Sequence, residues 1–168
     1  TSGTQTLSIG TQTLTMNDSV LVNANGAVSV SGGGIAGTGA MAVASSFSWT
    51  GGNLVATGAR VRVLAGGSLS IGGTTARTIN NFGLEVAGAG TWTGTHAISS
   101  GSGGRVTVLA GGTMGLQGDP NWVYNQGGAV SVLEVFGTLS RTTSTGTAIV
   151  PGLAVTGSVN VATGTLEA

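Results

Sequence analysis

The sequence predicts an all-β fold, a single-stranded parallel β-helix (β-solenoid) of about seven coils of roughly 22 residues each, and three observations lead there. Two segments 45 positions apart, RVRVLAGGSLSIGG from Arg60 to Gly73 and RVTVLAGGTMGLQG from Arg105 to Gly118, agree at eight of fourteen positions. Apolar residues alternate with small polar ones, the period of a strand with one buried face. Valines at 22, 43, 63, 86, 108, 132 and 155 recur at intervals of 20 to 24 residues, one coil each.

Taken in chain order, the strands come in pairs across tight corners. Val20 and Val22 are followed by Val28 and Val30 across the turn NANG (Asn23–Gly26). Val61 and Val63 lead through AGG to Leu69 and Ile71, and Val106 and Val108 lead through AGG to Met114 and Leu116. Val159 and Val161 precede Leu166 across ATG. Glycine and asparagine supply the backbone freedom that such corners need. Val43 in MAV, Val86 in LEV, Val132 in VSV and Val155 mark the coils between. With strands about 4.8 Å apart, the rod would be on the order of 35 Å long. Helix is disfavoured by the 33 glycines and the many β-branched residues.

Composition sets the limits on partners. Only 6% of the 168 residues are charged, yet 40% are hydrophobic, which separates the chain from disordered sequences of similar glycine content. One domain over residues 1–168 is expected, either a segment of a longer chain or a unit that stacks. Five arginines balance five acids and lysine is absent, so the clustered cations that nucleic-acid binding requires are missing. Arg60, Arg62 and Arg105 read as a solvated stripe. There is no cysteine to hold a disulfide or thiolate metal site. The uncharged stretch from Ser19 to Ala59 is broken too often by glycine and polar residues to be a transmembrane helix.

Catalytic constellations are sought in vain. Glu85 and Glu134 fall near the same strand phase two coils apart, about 10 Å, slightly wide for a hydrolytic carboxylate pair. A structural ion pair or solvated acid is the favoured reading of both. His96 is the single histidine, and Ser99, Ser100 and Ser102 after it have no local acid to complete a triad. Asp119 is a lone acid, and no glycine pair is followed by the lysine of a phosphate loop. Neither enzyme activity, cofactor nor metal is expected.

Two recurrences suggest surfaces. Trp49 and Trp92, each in WTG and 43 apart, either fill a core layer or offer a glycan platform. Asn80 and Asn125, 45 apart, suit a structural ladder of stacked amides at one corner. The TxT triplets beginning at Thr4, Thr11, Thr91, Thr93, Thr145 and Thr163 evoke ice-binding faces, but their spacing does not follow the coil.

The segments WTGG (Trp49–Gly52), Arg60–Gly73, INNFG (Ile79–Gly83), TWTG (Thr91–Gly94) and Arg105–Gly118 resemble the glycine- and threonine-rich repeats of large bacterial secreted and cell-surface proteins. These include filamentous-haemagglutinin-like and autotransporter-type β-solenoid adhesins. The resemblance implies an extracellular or cell-surface setting and a structural role in a fibre, filament or adhesin stalk. The expected partner is a further coil at each open end, from self-association or from continuation of the chain. A glycan- or ice-binding face is the alternative, and a polysaccharide-degrading β-helix the less favoured one.

Overall fold

A computed structural model describes residues 3–168; Thr1 and Ser2, where the sequence pattern begins, lie outside the described residues. The chain winds as a parallel β-solenoid with no helix among these residues, and hence none long and apolar enough to cross a membrane. The first coil contains β1 (Gln5–Ile9), β2 (Thr13–Met16) and β3 (Val20–Val22), and each strand founds one face of the rod. Face A, begun by β1, carries eight parallel strands; face B, begun by β2, six; face C, begun by β3, seven. Near the C-terminal end the strands Thr147–Ile149 and Thr165–Glu167 pair separately, linked to face B by the bridge between Asn121 and Ile149. The eight strands of face A count eight turns of roughly 21 residues, close to the expected seven of about 22.

Register explains why the valines recur. Val22, Val43, Val63, Val86, Val108, Val135 and Val155 form one column on face C. Six of the seven predicted markers stand in it. Val132 does not: it pairs with Arg105, three residues ahead of the column. The corner before it, residues 125–131, is longer than its counterparts, so this coil advances by 27 residues and the next by 20. The triplet VSV resembled a strand because Val130 and Val132 alternate around Ser131, yet Val130 lies in the corner, half exposed to solvent.

Alternation becomes burial. On face A the inward columns are Val28, Phe47, Leu69 and Met114, and beside them Val30, Trp49, Ile71, Trp92 and Leu116. Met41, Val61, Leu84, Val106 and Leu133 supply the second inward column of face C. Each of these large side chains contributes about 1.5–3 kcal/mol by leaving water, and the columns run from coil to coil, with Gly90 standing between Leu69 and Met114. The core is therefore continuous along the rod.

Glycine is obligatory where corners stack. At the corner from face C to face A, a Cβ on Gly88 would overlap the carbonyl oxygen of Gly67, and one on Gly157 that of Gly137. Successive corners approach at rung distance there, leaving no room for a side chain. In the repeated LAGG turns the third residue, Gly66 or Gly111, has φ of 83° or 81°, and the turn closes by Gly67 N–H to Leu64 O and Gly112 N–H to Leu109 O, both 2.9 Å.

Candidate functional site

Face A turns a flat, uncharged hydroxyl surface to solvent. Its outward columns are Thr6, Ala27, Ser46, Ser68, Ala89, Thr113, Thr138 and Ser158, and alongside them Ser8, Ser29, Ser48, Ser70, Thr91, Gly115, Ser140 and Asn160. No side chain here is larger than asparagine. Sequence reasoning looked for TxT triplets and missed this array, half of whose members are serines, spaced by coils of unequal length. Thr91 alone among the TxT starting residues belongs to it.

Face C carries the charged strip. Its outward column runs Leu21, Ala42, Arg62, Glu85, Thr107, Glu134 and Ala154. Glu85 and Glu134 thus stand two rungs apart with Thr107 between them. Each is engaged by an arginine: Arg62 Nε donates to Glu85 Oε2 at 2.5 Å, and Arg105 Nη1 to Glu134 Oε1 at 3.2 Å. Thr107 Oγ1 also donates to Glu134 Oε2 at 2.9 Å. Both arginines are about half exposed, so each pair adds at most about 1 kcal/mol.

Trp49 and Trp92 are both fully buried, on either side of Ile71 in one inward column. Neither ring faces solvent, so the glycan platform considered for them gives way to the core-layer reading. Trp49 Nε1 donates to Gly52 O at 3.3 Å, whereas Trp92 Nε1 has no partner and its ring packs on Trp122, centroids 6.1 Å apart and planes at 50°. The amide ladder is also corrected. Asn80 pairs in register with Gly101, and because Ser100 pairs with Tyr124, Asn125 stands beyond that glycine. The intervening coil has no side chain to pass the ladder on. Asn125 Nδ2 instead donates to Ser99 Oγ at 3.2 Å, and Asn80 Oδ1 has no partner.

Two arginines that sequence reasoning left unassigned lie inside the rod near the corner joining faces A and B. Arg77 is fully buried on face B; its Nη2 donates to the carbonyl of exposed His96 at 2.8 Å, while Nε and Nη1 have no partner. Burial without a counter-charge pushes its pKa down. Gly94 makes room, since a Cβ there would lie 2.7 Å from Nη2. Arg141 takes an inward position of face A, beside Val161. It donates to Gly118 O and Asp119 Oδ1, both at 2.5 Å, and to Gly146 O at 2.7 Å. Asp119 also accepts from Ser144 Oγ at 2.6 Å. The Ser144 hydroxyl first, and then Arg141, hold its carboxyl below the ordinary range.

Among the described residues no three histidines, cysteines or acids gather as metal ligands. Comparison with protein-family models, curated proteins and solved structures finds no match, so what this chain resembles functionally rests on its own sequence and geometry.

Proposed function

We propose that this chain is a non-catalytic structural module, a stretch of β-solenoid rod in an extracellular bacterial surface fibre, filament or adhesin stalk. One observation carries this reading: the ladders of faces A and C run without interruption along the rod, and its terminal coils leave apolar residues on show. Leu7, Val20 and Leu21 are exposed in the first coil, and Val155, Val159 and Val161 near the last. Each terminal coil presents strand edges with hydrogen-bonding groups free on one side, a template for another coil. Whether that coil comes from a second copy or from the same longer chain, the mechanical role is the same. Parallel hydrogen bonds lie along the rod axis, and the shared core makes neighbouring coils cooperative.

Sedimentation velocity over a hundredfold concentration range tests end-to-end stacking. Assembly that increases with concentration and is suppressed by Val159→Lys supports it. A monomer at every concentration, unchanged by the substitution, removes stacking between copies from the proposal.

Face A favours a second reading, a water-ordering, ice-binding surface. Its two hydroxyl columns are flat, uncharged and spaced by the strand repeat, features that arrange water without competing cations. An ice recrystallisation assay decides: inhibition abolished by Ser70→Lys at the centre of the face supports this reading, and no inhibition by the unsubstituted chain rejects it.

A further inference from the structure

The two arginines that open the sequence repeat, Arg60 and Arg105, stand in one column of face C with Gly83 between them. The column continues as Ala40 on one side and Val132 on the other, so its two cations flank a single gap. A recess of about 220 Å³ lies there, lined by Arg60, Arg105, Gly83, Glu85, Asn81 and Phe82 among others. Gly83 forms its saddle: a Cβ at this position would already come within 3.3 Å of Arg60 Cβ. Both arginines are exposed, two rungs or roughly 9.6 Å apart at the backbone. Side chains of this length leaning toward one another can meet over the glycine.

The charges around the recess are not balanced. Arg62 holds Glu85, and Arg105 shares Glu134, but among the described residues no carboxylate lies in ion-pair range of Arg60. Three guanidinium groups face two carboxylates, leaving one positive charge, and it belongs to the arginine at the recess. The backbone donors of the column itself are already engaged: Gly83 N–H bonds Ala59 O at 3.0 Å, and Arg105 N–H bonds Phe82 O at 2.9 Å. Recognition therefore falls to the guanidinium forks, whose planar donor pairs match the two oxygens of a carboxylate or sulfate.

We propose that this recess is an oxyanion site, in which Arg60 and Arg105 clamp one carboxylate or sulfate group over Gly83. The open notch admits the group either as a free ion or as a substituent of an acidic polysaccharide lying across the corner. The site is independent of end-to-end stacking, because it lies at the middle of the rod's side.

The test is isothermal titration with sodium sulfate and, separately, with heparin as a sulfated polysaccharide, on the whole chain and on Arg60→Gln and Gly83→Val. The first variant removes the unpaired charge, and the second fills the saddle while leaving every charge in place. Circular dichroism and thermal melting confirm that each is folded. Binding should weaken roughly tenfold or more in Arg60→Gln, from loss of charge-assisted hydrogen bonds, and also fall in Gly83→Val. It should weaken with added sodium chloride. Binding of sulfate itself with this pattern assigns a free-ion site, and binding of heparin alone with this pattern assigns a polysaccharide-borne group. No binding of either probe, or binding indifferent to both variants, overturns the proposal. For Arg60→Gln to bind as the parent does would place any observed affinity elsewhere on the rod.

Discussion

Replacing Trp92 by alanine separates a core layer from a binding platform. The ring is fully buried in the fifth strand of face A, against Trp122 and in line with Ile71 and Leu116. A tryptophan buries about 150–250 Å², which at about 25 cal/mol per Å² amounts to some 4–6 kcal/mol of transfer free energy. Alanine recovers a small part of this, and large-to-small aromatic substitutions cost about 3–5 kcal/mol with the cavity included. In a chain of this size each kcal/mol lowers Tm by about 2–4 °C, so Trp92→Ala should melt roughly 6–20 °C below the parent. Thermal melts followed by far-ultraviolet circular dichroism measure the shift. Trp92→Phe should cost less than Trp49→Phe, because only Trp49 loses a hydrogen bond, the one to Gly52 O. A Trp92→Ala protein that melts within about 2 °C of the parent would refute the placement of this ring in the core.

Two other expectations follow from register and charge. Thr107 and Glu134 are neighbours on adjacent rungs, at a Cα separation of about 5 Å that a disulfide accepts. Thr107→Cys with Glu134→Cys should oxidise readily to a closed loop, seen as a mobility shift on non-reducing gels, while Thr107→Cys with Ser131→Cys should not. The opposite outcome would restore Val132 to the marker column. Asp119, its carboxyl held low by Ser144 and Arg141, contributes stability that is fully present above the ordinary carboxylate range and lost as pH falls through its lowered native value. Asp119→Asn should therefore melt below the parent at pH 7, by a margin that shrinks as pH falls below the ordinary carboxylate range. A difference that persists undiminished in acid would remove the carboxylate from the account.

Much of this architecture was legible because inward valines on face C are separated by corners of nearly constant length. Arg60 and Arg105 revealed a true two-rung equivalence for the same reason. Val135 was hidden by a long corner whose residues alternate like a strand, since period two reports a pleat and not which rung it joins. The serine face was hidden differently: Ser48, Ser70 and Thr91 line up only after the corner lengths are known. Arg77 and Arg141 could not be placed inside from sequence, because the room for them comes from distant positions. Gly94 opens space beside one, and Gly118, Asp119 and Gly146 supply acceptors for the other. Trp49 and Trp92 were open between core and surface until register put them in one inward column.

A parallel stack with constant rise sets the core columns, the ion pairs of face C and the spacing of Arg60 and Arg105, and distances along face A measure it. Spin labels at Ser29 and Ser140 lie five rungs apart on one outward column, and labels at Ser8 and Ser140 six. Double electron–electron resonance should give backbone-corrected separations of about 24 Å and about 29 Å, differing by one strand spacing. Two separations that are equal, or that fall in the reverse order, would contradict a solenoid wound in this register.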